Sequence, residues 1–232
     1  MVAIFVALTF IGFILLDVLI QKWQERRGAR AGRPAASPWL SPSGREKLAG
    51  WISVPEGVYL SEGHAWAQPQ PEGTVRAGAD GLVSRALGQV SRVILPKVGD
   101  EVTAGDPLFH LELNRRVLTL NSPVSGRVVA VNRCLQERPG LVADDPFGDG
   151  WICSVVPVRR VQENGAMRLG NRAAEWLKQE VGRLREFIST RLTPDLALGL
   201  TSQDGGAPAS GCLARSDAKA WIDFEREFLR PR

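Results

Sequence analysis

Short apolar runs separated by turn-forming residues dominate the sequence between Trp51 and Arg160. Runs such as VSRVIL, PLFHLEL, RVLTL and GRVVAV are too short for typical helices, and Gly, Pro, Asn and Asp interrupt them at roughly regular spacing. Many short strands joined by tight turns are typical of β-sandwiches and barrels. The pattern therefore predicts a mainly β domain over residues 51–160.

The N-terminus carries a different signal. Residues 2–20 are apolar except for one charged residue, Asp17. At a rise of about 1.5 Å per residue this run spans the roughly 30 Å hydrocarbon core of a bilayer. A signal peptide would have Lys or Arg before the apolar run, but only Met1 precedes it, and no small-residue cleavage site follows closely. We therefore expect an uncleaved transmembrane anchor at residues 1–21 rather than a cleaved signal peptide.

Positive residues follow this apolar run directly and are opposed by Glu25. They form the basic cluster: Lys22, Arg26, Arg27, Arg30 and Arg33. The positive-inside rule then predicts an inner-membrane protein with its N-terminus outside and its main domain in the cytoplasm. Together with Glu25 the cluster carries a net charge of +4, which equals the formal charge of the whole chain, so the basic balance is no argument for nucleic-acid binding. We expect membrane lipid and other membrane-protein subunits as partners, and no small-molecule substrate.

Residues 22–50 read as a basic juxtamembrane segment and linker, and residues 161–232 as a helical C-terminal extension. Two amphipathic stripes in the extension place large aromatic residues at helical spacing. These aromatics pack either on the β-domain or on a partner, and we take them as candidate partner contacts: Trp176, Phe187, Trp221, Phe224 and Phe228.

Several motifs of the β-region occur in a specific order. They are His64 with Trp66, the segment LPKVGD from Leu95 to Asp100, the turn SPVSG from Ser122 to Gly126, and the pair Gly150-Trp151. Over residues 54–158 this order resembles the H protein of the glycine cleavage system, a relative of the lipoyl and biotinyl carrier domains. The resemblance implies a lipoyl-type or H-protein-like β-sandwich, also described as a barrel-sandwich hybrid. Ala65 and Gln89 depart from the acidic residues of the family pattern.

The resemblance also implies a site. In that family a lipoylated lysine lies at a hairpin tip, in a pattern like Glu-Ser-Val-Lys-Ala. The matching stretch here runs from Glu112 to Arg116, so Arg115 occupies the lysine position. Lipoylation forms an amide on a primary amine, which a guanidinium cannot supply. The resemblance thus implies a carrier-type domain that lacks the lipoyl-lysine arm of the family and carries no cofactor. Arg115 and Arg116 are either solvated or contact an acidic partner or lipid headgroup.

No residue pattern indicates catalysis or a metal. His64 and His110 are the histidines of the chain, and Cys134, Cys153 and Cys212 lack CxxC spacing. We therefore predict a non-catalytic structural or docking subunit of a larger membrane complex, with an energy-transducing complex, photosynthetic or respiratory, as its host. The alternative is a carrier or tether protein of a glycine-cleavage-like or lipoate-related system.

Overall fold

The structure is a computed structural model that describes residues 44–161, 165–191 and 208–230. The predicted anchor at residues 1–21 and the basic cluster lie outside these ranges. Among the described residues, no helix is both long enough and apolar enough to cross a membrane. The described residues belong to one compact unit.

The described residues contain two antiparallel sheets. Their strands are β1 (Tyr59–Leu60), β2 (Ala65–Pro69), β3 (Val75–Ala79), β4 (Arg92–Ile94), β5 (Glu101–Val102), β6 (Pro107–Leu113), β7 (Arg116–Asn121), β8 (Gly126–Val131), β9 (Cys153–Pro157) and β10 (Arg168–Leu169). The larger sheet has the order β10-β1-β2-β3-β9-β8-β5, and the smaller one the order β4-β6-β7. The prediction of a mainly β fold is confirmed.

Alternation along the strands explains how the sheets build a core. In β6, Phe109, Leu111 and Leu113 are buried, whereas the intervening His110 and Glu112 are half-buried. Successive side chains of a strand point to opposite faces, so one face of β6 lies on the core. Buried residues of the larger sheet join the same apolar cluster, among them Ala77, Val128 and Val155. Both sheets therefore share one core.

The described residues also contain helices and helical turns. They are α1 (Gly44–Ile52), α2 (Gly81–Leu87), α3 (Cys134–Glu137), α4 (Leu141–Asp144), α5 (Asn171–Arg191), a 3₁₀ turn (Leu213–Arg215), α6 (Ala218–Phe224) and a π-helical turn (Glu225–Leu229). Asp80 caps α2 by accepting hydrogen bonds from the Leu82 and Val83 backbone amides at 3.0 and 3.1 Å. The amphipathic helices expected after residue 160 are thus present, but β10 was not expected there. It pairs with β1 and extends the larger sheet.

The last described segment, residues 208–230, is called the C-terminal cap below. Its Gly211 amide donates to the Arg85 carbonyl at 2.8 Å, at the end of α2. Its far end receives a hydrogen bond from Arg183 of α5, whose Nη2 donates to the Glu227 carbonyl at 3.0 Å. Between these points the cap lies along β7. It therefore connects three elements that are distant in sequence.

Candidate functional site

The β6–β7 hairpin ends in a tight two-residue turn. Leu113 pairs directly with Arg116, which leaves Asn114 and Arg115 as the loop. Both have positive φ, 52° and 63°. Positive φ at both central residues defines a type I′ turn, whose twist matches that of the flanking strands. Arg115 is exposed at this tip, so the hairpin projects a guanidinium into solvent.

One side of the hairpin is braced by an ion pair between strands. Arg92 of β4 lies opposite Glu112 of β6, and its Nη2 is 2.7 Å from Glu112 Oε2. Arg92 is largely exposed, so solvent screens the pair and its contribution to stability is small. The pair nevertheless occupies the Glu112 carboxylate, which leaves the nearby Arg115 without an ion pair among the described residues.

The other side of the hairpin is covered by the C-terminal cap. Arg116 Nη1 donates to the Ser216 carbonyl at 2.6 Å, and its guanidinium lies 5.8 Å from the centre of the Trp221 ring. Trp221 Nε1 in turn donates to the Val117 carbonyl at 3.1 Å. Arg116 is therefore hydrogen-bonded within the chain, and its expected contact with a partner stays a prediction. Of the two tip arginines, Arg115 is the accessible one.

The aromatic residues proposed as partner contacts lie mostly inside the protein. Phe187, Trp221, Phe224 and Phe228 are buried, and the Phe224 and Phe228 rings stack with centres 4.8 Å apart. Trp176 is half-buried, between His64 and the guanidinium of Arg168. The aromatic stripes are thus explained by packing of α5 and the cap on each other and on the β-structure. Packing within the chain accounts for the burial of these rings, and their expected contact with a partner stays a prediction.

A buried charged network joins the start of the β-region to α5. His64 is fully buried with φ 59°, and its Nδ1 donates to Asp80 Oδ2 at 2.7 Å. Its Nε2 lies 3.6 Å from Glu180 Oε2, and Glu180 accepts a hydrogen bond from Arg183 Nη1 at 2.7 Å. Trp176 stacks on the imidazole at 4.9 Å between ring centres. The network ties β2, α2 and α5 together.

The carboxylates of this network keep the imidazole charged. Burial by itself lowers the pKa of His64, but Asp80 and Glu180 together raise it to about 9. Burial opposes ionisation of Glu180 as well, yet the nearby positive charge of His64 and the hydrogen bonds from Arg183 leave its pKa lowered. Sequence reasoning treated His64 as an ordinary histidine and missed Asp80 and Glu180. No local pattern links residues so far apart along the chain.

The cysteines form no disulfide. Cys153 and Cys212 are buried, and burial raises the pKa of each thiol to about 12. Cys134 is exposed. Within the described ranges, no group of three or more His, Cys, Asp and Glu side chains is arranged to hold a metal ion.

Comparisons with known proteins identify the family. The family model described as glycine cleavage H-protein matches residues 58–180, which extends past the predicted 54–158 into α5. The probable glycine cleavage system H protein of Thermococcus kodakarensis is 36% identical over 129 residues, 56% of this chain and 96% of that protein. The H protein of Micrococcus luteus is 41% identical over 116 residues, 50% of this chain and 91% of that protein.

Among solved structures, a glycine cleavage system H protein from Mycobacterium marinum is 32% identical, with a TM-score of 0.47, covering 53% of this chain and 98% of that one. The family match ends at Glu180, so the rest of α5 and the C-terminal cap lie beyond it. The matched residues make up more than half of the sequence, and they contain both sheets and the hairpin. The chain belongs to the glycine cleavage H-protein family.

Proposed function

We propose that this protein is an H-protein-family module without a lipoyl group, which acts as a tether in a glycine-cleavage-like or lipoate-related system. The observation that supports this most is Arg115 at the exposed tip of the β6–β7 hairpin. In this proposal Arg115 takes the place of the lipoylated lysine, as the resemblance of residues 112–116 to the family pattern implies. A guanidinium stays protonated at any accessible pH and cannot form the lipoyl amide.

The rest of the hairpin offers no other lysine that could carry a lipoyl group. Residues 107–121 contain no lysine. Lys97 lies outside the hairpin, in the loop between β4 and β5, where its backbone amide donates to Asp100 Oδ2 at 2.9 Å. A lysine in that loop belongs to a different part of the surface from the tip. This favours a docking role over a carrier role.

The kind of system follows from the relatives, which are named as glycine cleavage system H proteins. These names support the glycine-cleavage-like reading over a respiratory or photosynthetic host, for which the comparisons offer no support. Family membership is consistent with a non-catalytic protein. In this proposal the chain uses a retained H-protein surface to bring soluble partner enzymes to one place.

In our proposal the tether is located at a membrane. This part of the proposal rests on the apolar run at residues 2–20 and on the basic cluster that follows it, both outside the described residues. An anchor of this kind, with the β-domain in the cytoplasm, would hold the tether at the inner membrane.

Intact-mass measurement tests the missing arm. The wild-type protein from its native cells is expected to carry no lipoyl group. The Arg115→Lys variant, incubated with a lipoate–protein ligase, lipoate and ATP, is expected to gain one lipoyl group. Arg116→Lys, which places the amine one residue further on, is the matched control and should stay unmodified.

Two outcomes would contradict the proposal. A lipoyl group on the wild-type protein would make it a carrier. If R115K stays unmodified while the Thermococcus kodakarensis protein is modified in the same reaction, the assignment of Arg115 to the carrier position is wrong.

A further inference from the structure

The hairpin tip and the C-terminal cap meet at one surface. Arg116 is hydrogen-bonded to the carbonyls of Ser216 and Asp217, at 2.6 and 3.4 Å. Arg115 directly precedes Arg116, so the hairpin tip is one residue away from a contact with Ser216 and Asp217, about a hundred positions later in the chain. Two further cations of the cap, Arg215 and Lys219, are exposed next to this contact.

These cations are not neutralised locally. Among the described residues, Arg115, Arg215 and Lys219 form no ion pair. Glu112 is paired with Arg92, whereas Asp217, which accepts a hydrogen bond from the Ala220 amide at 2.7 Å, keeps one negative charge against these three cations. The surface therefore carries an excess of positive charge.

Apolar side chains accompany the charge. Val117 of β7 is 39% exposed and Ile222 of α6 is 61% exposed. The hydrogen bond from Trp221 Nε1 to the Val117 carbonyl keeps β7 and α6 adjacent. Single exposed apolar residues are common, but apolar residues beside unpaired arginines resemble the composition of protein interfaces, where arginine is enriched.

From this arrangement we propose that Arg115, Arg215 and Lys219, together with Val117 and Ile222, form a docking surface for an acidic segment of a partner protein. The inference rests on the proposed tether function and specifies which surface performs it. A guanidinium binds a carboxylate through two parallel hydrogen bonds, and Arg116, fixed by the cap, holds the base of the tip in place. Arg215, Lys219 and Ile222 lie beyond the residues that the family model matches, so this part of the surface is not defined by the family pattern.

A synthetic peptide of alternating Glu and Leu tests the surface, with a Lys-Leu peptide as its control. The full-length chain in non-ionic detergent is titrated, and hydrogen exchange is followed peptide by peptide. With the Glu-Leu peptide, we expect slower exchange at residues 113–118 and 214–223. With the Lys-Leu peptide, we expect no change in the exchange rate at these residues. Site-resolved exchange separates this binding from contacts of the basic cluster.

Charge-neutral variants give the second measurement. R115Q/R215Q is expected to weaken binding at this surface by about tenfold at low salt, because it removes two exposed positive charges. R159Q/R160Q removes the same charge from two other exposed arginines and should leave the binding unchanged.

Three results would overturn the inference: no protection at this surface, equal weakening by both double variants, or protection by phosphatidylglycerol vesicles but not by the Glu-Leu peptide, which would make it a lipid contact. Because lipoylation is measured separately, failure here leaves the missing arm unaffected. Conversely, a lipoyl group on the wild type would refute the tether and leave the peptide result standing.

Discussion

Trp221 Nε1 donates a hydrogen bond to the Val117 carbonyl at 3.1 Å, across 104 positions of sequence. Val117 lies in β7, an edge strand of the smaller sheet, so this carbonyl would otherwise face solvent. Unpaired edges invite pairing with other chains, and covering them with a helix is one way in which proteins prevent it. The C-terminal cap therefore both closes a sheet edge and positions the hairpin.

Replacing Trp221 should release the cap. Trp221→Ala removes a buried indole and is expected to lower the free energy of unfolding by about 3–5 kcal/mol, the usual cost of deleting a large core aromatic. The neighbouring Ile222 is exposed, so Ile222→Ala should change it by less than about 0.5 kcal/mol. Urea unfolding followed by tryptophan fluorescence and circular dichroism measures both. Equal effects of the two variants would contradict the packing described.

Stability should fall in mildly alkaline solution because of His64. Its pKa rises from 6.5 to about 9 on folding, so the folded state binds the proton more tightly than the unfolded chain. The stabilisation is therefore fully present below about pH 6.5 and is lost as pH rises through about 9. A shift of this size corresponds to roughly 3 kcal/mol. Urea unfolding between pH 6 and pH 9 should show this slope.

A matched variant isolates the histidine. His64→Asn removes the titrating group, and asparagine tolerates the positive φ found at this position. The variant should be less stable at pH 6 and should lose most of the slope. An unchanged slope would mean that another group titrates. The buried thiols of Cys153 and Cys212 affect the free energy of unfolding mainly above pH 9, because their pKa is about 9.0 in the unfolded chain.

The approach of the cap to α2 depends on a glycine. Gly88 has φ 72°, and a Cβ placed there would lie 2.7 Å from the Gly211 Cα. Gly88→Ala should therefore reduce the free energy of unfolding by roughly 2–4 kcal/mol, through both left-handed strain and overpacking. Gly182→Ala in α5 meets no neighbouring atom and should instead stabilise the protein by about 0.5–1 kcal/mol. Thermal unfolding of the two variants should show opposite signs.

The hairpin turn is not optimised for stability. Arg115 has φ 63°, a conformation that glycine adopts without strain, and Asn-Gly is the preferred type I′ pair. Arg115→Gly should therefore raise the free energy of unfolding by about 1 kcal/mol. Arg127→Gly, inside β8, should lower it by about 0.5–1 kcal/mol. If R115G is destabilising, the side chain makes a stabilising contact that the structure does not contain.

Local pattern determined much of the fold. Short apolar runs and frequent turn residues predicted the strands. The family resemblance implied that Arg115 lies at a hairpin tip, and β6 and β7 do pair across a two-residue turn there. Helical periodicity likewise predicted α5 and α6. The predicted boundary between the β-domain and the helical extension at residue 160 did not match the sheet, since β10 follows this boundary and completes the larger sheet.

Tertiary structure alone decided what covers each apolar face and which charges meet. A stripe containing Phe224 and Phe228 shows that a helix face is buried, but the same stripe serves a partner or the chain's own core. Likewise, Arg115 and Arg116 are equivalent in sequence, yet only Arg116 meets the Ser216 carbonyl. The physical reason is that such contacts join residues about a hundred positions apart. They depend on how the sheets, α5 and the cap pack together, which no local periodicity records.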